Sequence, residues 1–141
     1  MPKTRVLIVD DDVALSQTLK AGLEQSGVYQ VRVENSSQKA RRAALDFQPD
    51  ILLLDVIMPD KDGGMVAAEL REDPRLKNVP VVFLTSIVGK EEVGAMGGRT
   101  GEDPVLAKPV TIAELTARIE KTLTSAGRAG RRSSSGCAGS A

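Results

Sequence analysis

The 141-residue chain contains no histidine and no tryptophan, only one cysteine, and just one tyrosine and two phenylalanines. Without histidine there is no Ser-His-Asp or Cys-His nucleophile pair and no His-liganded zinc or haem, so any chemistry falls to carboxylates, hydroxyls or lysines. The lone Cys137 lies in a Gly/Ser/Ala-rich stretch, offers no intrachain disulfide and fits a reducing compartment. With 2% aromatic residues the core must be aliphatic, and 41% hydrophobic content is enough to build one. Excess charge of either sign is also missing, since 19 basic residues balance 19 acidic ones. Setting aside Arg128, Arg131 and Arg132 leaves 16 basic against 19 acidic, a globule of net charge −3 that is a poor nucleic-acid binder. No direct DNA binding is expected. No apolar run approaches membrane-spanning length, and Met1–Arg5 leads straight into a short strand without the features of a signal peptide, so no membrane contact and a cytoplasmic location are expected.

What is present is a repeating alternation of short apolar runs and helical patterns. Arg5–Val9 reads as a buried strand ending in Asp10-Asp11-Asp12. Val13–Gln25 carries Leu15, Leu19 and Leu23 at a spacing of four, with Asp11 or Asp12 placed to cap the helix. Tyr29–Glu34 alternates as a second strand, and Ser36 or Ser37 opens a helix through about Phe47. Ile51–Asp55 is an uninterrupted apolar run closed by an acid, a strand buried on both faces, followed by Met58-Pro59-Asp60-Lys61-Asp62-Gly63 as a turn-rich loop. A third helix runs from Gly63 or Gly64 to Glu72, and Val81–Thr85 forms a fourth strand. Glycine-rich residues 89–103 break the rhythm, with at most a weak helix over Lys90–Met96. Val105–Ala107 is a fifth strand delivering Lys108-Pro109, and the capping box Thr111-Ile112-Ala113-Glu114 starts a last helix ending near Ser125. The expected organisation is one α/β domain over residues 1–125, a doubly wound parallel sheet with helices on both faces, and a disordered Gly/Ser/Arg-rich tail over 126–141.

In such a sheet the C-terminal strand ends share one edge, where ligands collect. Here that edge gathers Asp10 and Asp11, Asp55, Thr85 and Lys108. Clustered carboxylates repel and require a cation or a proton, and Mg2+ is the hard ion suited to them. Lys108 adds a fixed positive charge and Thr85 a hydroxyl donor, a set that matches a phosphoryl group carried on Asp55 as covalent nucleophile. The bland readings are that the three acids cap a helix, that Lys108 is a surface lysine and that Thr85 is an ordinary strand residue; their convergence argues against all three.

Val9-Asp10-Asp11-Asp12, Leu54-Asp55 with Met58-Pro59-Asp60-Lys61-Asp62-Gly63, Leu84-Thr85-Ser86 and Ala107-Lys108-Pro109 resemble, in order and separation, the signatures of the receiver domain of two-component response regulators, from about residue 4 to 124. The resemblance implies a five-stranded flavodoxin-like sheet of order 2-1-3-4-5. It implies acceptance by Asp55 of a phosphoryl group from a phosphohistidine on a sensor histidine kinase, with self-catalysed phosphorylation rather than conventional turnover. It further implies Mg2+, with Mn2+ as substitute, held by Asp11, Asp55 and the Ile57 carbonyl, with Asp10 acting mainly through water. Thr85 becomes the switch hydroxyl, Lys108 the phosphate-binding amine, and Lys108-Pro109 a cis peptide. With no output domain in the sequence, the expected action is by protein contact, towards a downstream phosphotransfer or effector protein, and the family's usual homodimer surface is built on its fourth helix, fifth strand and last helix.

Two departures stand out. The family usually carries an aromatic three residues before its lysine, where this chain has Val105. The positions two residues after Asp55 and Thr85, which flank the attacking water in the family, are Ile57 and Ile87, neither able to orient water, so slow autodephosphorylation is expected. The first departure, together with the glycine-rich 89–103 segment, supports a rival reading, a receiver-like docking module whose output is independent of phosphorylation. Two further rivals fit less well: a flavodoxin-type FMN carrier needs a phosphate-accepting first loop, which Asp10–Asp12 would repel, and an Asp-nucleophile phosphatase would need a cap domain.

Overall fold

The strands form where the apolar runs lie. In the computed structural model, which describes residues 3–58, 61–85, 99–100, 103–108 and 110–125, β1 (Thr4–Val9), β2 (Tyr29–Glu34), β3 (Ile51–Asp55), β4 (Val81–Thr85), β5 (Arg99–Thr100) and β6 (Asp103–Ala107) are joined to α1 (Val13–Glu24), α2 (Ala40–Phe47), α3 (Gly63–Arg71) and α4 (Ile112–Ser125). Five strands pair in parallel in the order β2-β1-β3-β4-β6, which is the expected 2-1-3-4-5 arrangement with β6 as its fifth member. The two-residue β5 was not expected; it pairs antiparallel to the start of β6, Arg99 opposite Pro104 and Thr100 opposite Asp103. The expected fifth strand therefore begins two residues early, at Asp103. The weak helix at Lys90–Met96, Ile87, the Lys108-Pro109 peptide and the tail from 126 lie outside the described residues.

Every residue of β3 and β4 is buried because the sheet is covered on both sides. Alternate strand residues divide between two cores. Leu7, Val9, Leu52, Leu54, Val81 and Phe83 pack with Ala43 and Ala44 of α2 and with Val66 and Leu70 of α3. Val6, Ile8, Ile51, Leu53, Val82 and Leu84 pack with Leu19 and Leu23 of α1 and with Leu115, Ile119 and Leu123 of α4. Each fully buried aliphatic side chain contributes about 1.5–3 kcal/mol, so these two layers hold the strand ends rigidly in register.

Local chemistry sets the helix boundaries. Asp12 caps α1, accepting from Leu15 N at 3.0 Å, and Asp62 caps α3, accepting from Met65 N at 2.8 Å. The capping box closes reciprocally, Thr111 N donating to Glu114 Oε1 at 2.9 Å and Glu114 N to Thr111 Oγ1 at 3.0 Å. The second helix differs from expectation at its start: Ser37–Lys39 form a 3-10 turn and the α-helix begins at Ala40. Ser36 makes no side-chain cap, so the first turn tightens instead. Tyr29, at the start of β2, donates its hydroxyl proton to Glu120 of α4, tying the edge strand to the last helix.

Candidate functional site

β1, β3, β4 and β6 end side by side. Val9 is in register with Leu54, Asp55 with Leu84, and Thr85 with Ala107. Beyond the strands the backbone ladder continues for one more rung, Val56 N to Leu84 O at 2.7 Å and Lys108 N to Thr85 O at 2.7 Å. Residues 10, 55, 85 and 108 are therefore carried on the same rigid edge. This is the constellation read from the sequence.

At its centre Lys108 Nζ donates to Asp10 Oδ2 at 2.8 Å and stands 3.5 Å from Asp55 Oδ1. Asp10 is fully buried, Asp55 is 3% exposed, and Thr85 is buried beside them. The other oxygen of Asp10 accepts from Asp12 N at 2.9 Å, and Asp55 Oδ1 also faces Ile57 N at 3.4 Å. Asp11 is exposed at the mouth. Carboxylate oxygens of Asp10, Asp11 and Asp55 lie within 4.8 Å of one another.

The charges are out of balance, three carboxylates against one ammonium. Burial, reinforced by the neighbouring Asp10 charge, pushes the Asp55 carboxyl from 3.8 up to about 7, against the opposing pull of Lys108 and the Ile57 N–H. Burial also works against charge on Lys108, but its hydrogen bond to Asp10 and the attraction of Asp10 and Asp55 outweigh this and raise its pKa. A hard divalent cation fits this donor set, since all three groups offer oxygen and two further positive charges bring the cluster to neutrality. Both oxygens of Asp10 already have partners within the protein, Asp12 N and Lys108 Nζ.

The structure also gives contacts to residues whose part in the site the sequence left undefined. Gly63 N donates to Val56 O at 2.8 Å, and the backbone there is so close that a Cβ on Gly63 would lie 2.5 Å from the Asp55 carbonyl oxygen. The Asp-Gly turn signalled this contact, but its target is a tertiary fact. Ser37 Oγ accepts from Lys61 N at 3.2 Å, and Lys61 Nζ pairs with Glu69 Oε2 at 2.8 Å, anchoring the loop after β3. Val105 is buried in the α2/α3-side core, directly opposite Phe83 in the β4–β6 register.

A doubly wound α/β protein with a buried Asp-Asp-Lys cluster at the C-terminal edge of its sheet is thus defined. Residues 6–120 match the family model described as the response regulator receiver domain, and the chain belongs to that family, the phosphorylation-accepting module of two-component signal transduction. It is 36% identical over 119 residues to the DNA-binding dual master transcriptional regulator RpaA of Synechocystis, covering 84% of this chain and 48% of RpaA. The chain spans about half the length of that relative. Among solved structures, Vibrio cholerae chemotaxis protein CheY4 superposes with a TM-score of 0.75 at 25% identity, covering 86% of this chain and 99% of that one. The receiver domain of the Francisella response regulator 1452 gives 0.72 at 27%, covering 87% and 98%. No helix among the described residues is long and apolar enough to cross a membrane.

Proposed function

We propose that Asp55 accepts a phosphoryl group from the phosphohistidine of a sensor histidine kinase and that the chain, as a receiver over residues 1–125, signals by phosphorylation-dependent protein contact. The observation that carries the reading is the meeting of Asp55, Asp10 and Lys108 in one buried cluster, with Lys108 Nζ 2.8 Å from Asp10 and 3.5 Å from Asp55. An Asp55 oxygen bonds to phosphorus as the P–N bond to the donor imidazole breaks, its electron pair leaving on the imidazole nitrogen. Lys108 then pairs with a phosphoryl oxygen, and the Thr85 hydroxyl turns toward another. Asp11, Asp55 and the Ile57 carbonyl would hold Mg2+, or Mn2+, with Asp10 behind them; when bound, the ion neutralises charge on the phosphoryl oxygens.

The partners on this reading are a sensor histidine kinase and a downstream phosphotransfer or effector protein. DNA is not contacted directly, the chain works in the cytoplasm, and a homodimer would use the face of β6 and α4. Support for contact signalling comes from the family and from the absence of surplus positive charge. The test is incubation with a small acyl phosphate and Mg2+ followed by intact mass: one phosphoryl adduct is expected on the native chain and none on Asp55→Asn. An unmodified native chain under conditions that label a control receiver would refute it. The rival, docking independent of phosphorylation, is favoured by Val105 in place of an aromatic. Partner binding unchanged by stable phosphorylation would establish that rival.

A further inference from the structure

Asn35 directly follows the last residue of β2 and is half-buried between the ends of β1 and α1. Its side-chain nitrogen donates to the backbone carbonyl of Asp10 at 2.8 Å and to the hydroxyl oxygen of Ser16 at 3.0 Å. A peptide carbonyl can only accept, so the nitrogen of the amide must face Asp10. Ser16 is fully buried, and its hydroxyl sends its own proton to Val13 O at 3.0 Å, leaving a lone pair for Asn35. The network closes with both amide protons of Asn35 and the hydroxyl proton of Ser16 satisfied.

The location gives this network its consequence. Asp10 N donates to Glu34 O at 3.1 Å, the last backbone rung between β1 and β2. After it the chain turns through Asp11 and Asp12 into α1, and backbone from β2 no longer follows. The Asn35 side chain supplies the next rung, to the carbonyl of the peptide joining Asp10 to Asp11. Asp11 is exposed, and the point from which its side chain leaves the backbone is set by that peptide. Asp10 leaves from the other side of the same peptide toward Lys108.

We propose that Asn35 is a positioning residue of the acidic site: by clamping the Asp10–Asp11 peptide to the first turn of α1 through Ser16, it sets the two carboxylates for the divalent cation that phosphoryl acceptance requires. This rests on the reading of the site as a cation-dependent phosphoacceptor. Aspartate at 35 has the same shape but no proton to give, and alanine leaves the carbonyl and the buried Ser16 oxygen without their donor.

The test uses the full chain and Mg2+ itself. Phosphorylation by a small acyl phosphate is followed across a Mg2+ titration, and Mg2+ binding is measured directly by calorimetry, for the native chain, Asn35→Ala and Ser16→Ala. Asn35→Ala is expected to raise the Mg2+ concentration for half-maximal phosphorylation about 10-fold, as loss of a supporting contact behind metal ligands does, with a much smaller change in the rate at saturating Mg2+. Ser16→Ala, which removes one leg of the clamp, shifts it in the same direction by less. A lowered melting temperature with an unchanged Mg2+ requirement in both variants would mean a merely structural role and overturns the inference. Should Asn35→Ala fail to fold, an unchanged requirement in Ser16→Ala overturns it alone. A native chain that takes up neither Mg2+ nor phosphoryl group overturns the functional reading and this inference together, whereas a native chain that takes up both beside an indifferent Asn35→Ala overturns only the inference.

Discussion

Lys108 lies closer to Asp10 than to the residue it is proposed to serve: its ammonium is 2.8 Å from Asp10 and 3.5 Å from Asp55. Without a cation or phosphoryl group in place, one ammonium is shared unequally between two buried acids. Burial, with the charge of Asp10 beside it, pushes the Asp55 carboxyl up to about 7 against the pull of that more distant ammonium. The same crowding that makes the cluster receptive to a cation makes it unfavourable when metal-free.

That asymmetry gives a pH dependence whose sign is fixed. The Asp55 carboxyl is raised in the folded protein from 3.8 to about 7, so the folded state holds its proton more tightly than the unfolded chain. Its contribution to stability is complete below about pH 4 and is lost as pH rises through 7. Asp55→Asn removes the charge while keeping an oxygen for Lys108. In chelator-treated protein the variant should therefore be more stable than the native chain at about pH 8, by on the order of 2 kcal/mol after allowing for screening, and nearly equal to it at about pH 4. Mg2+ should close the gap at the higher pH. Denaturant titrations at the two pH values decide it, and a native chain as stable as Asp55→Asn at pH 8 without metal would sink the claim.

Lys108→Met should act in the opposite sense. It strips the fully buried Asp10 of its ammonium while preserving most of the side chain's apolar length. Breaking a buried pair from one side typically costs about 3–5 kcal/mol, so metal-free stability should fall by a large part of that, and Mg2+ should recover some of it. Phosphorylation of Asp55 should be lost even where the fold is restored, because Lys108 is the side-chain cation paired with Asp10 and Asp55 among the described residues and the metal does not replace its contact to a phosphoryl oxygen. Melting curves with and without Mg2+, beside intact mass after phosphodonor treatment, separate the two effects; full phosphorylation of a folded Lys108→Met protein would contradict the role given to the lysine.

The architecture and the acidic cluster were legible because they depend on local signals. β2, β3 and β4 begin and end where alternation or unbroken apolar runs do, and Pro49 and Pro80 mark the starts of β3 and β4. The acids, hydroxyl and lysine then follow from which strand ends share an edge. β5 was missed because Arg99–Thr100 adjoins glycines and has no apolar pattern; its pairing comes entirely from β6. Asn35 was missed for a related reason. An asparagine after a strand reads as a turn residue, and its two acceptors, Asp10 O and Ser16 Oγ, are 25 and 19 positions away in sequence. The Ser37–Lys39 turn replaced the first turn of a helix because no side chain caps Ser36's end.

Gly63 provides a test of how tightly the loop after β3 is fitted to the proposed phosphoacceptor. A Cβ there would meet the Asp55 carbonyl oxygen at 2.5 Å, the Asp55 carbonyl carbon at 3.1 Å and Val56 Cα at 3.1 Å, all backbone atoms that cannot rotate away. Gly63→Ala should destabilise by about 1–3 kcal/mol through overpacking, despite the better helix propensity of alanine. It should also slow phosphorylation more than the stability loss explains, since the displaced atoms carry Asp55 itself. Urea denaturation paired with initial phosphorylation rates tests this, and a fully active, unperturbed Gly63→Ala chain would show that the close approach is slack.

The lifetime of the phosphorylated state depends on what stands at the mouth of the site. Ile57 is 51% exposed two residues beyond Asp55, with its backbone N–H facing the nucleophile and its side chain turned outward. A purely aliphatic sec-butyl side chain at that point offers water neither a donor nor an acceptor, so it does not orient water reaching phospho-Asp55 for in-line attack. Hydrolysis should therefore be slow. Ile57→Asn supplies an amide that can hold such a water, and should hasten dephosphorylation on the order of 10-fold, less than a true general base would give because an amide removes no proton. Since the Ile57 side chain packs little, stability should change by under about 0.5 kcal/mol, which keeps the kinetic effect separable from folding. Decay of the phosphorylated species after removal of the donor, followed by intact mass, provides the measurement. If phospho-Asp55 decays faster in the native chain than in Ile57→Asn, the water is being oriented by another group and the isoleucine is not what preserves the signal.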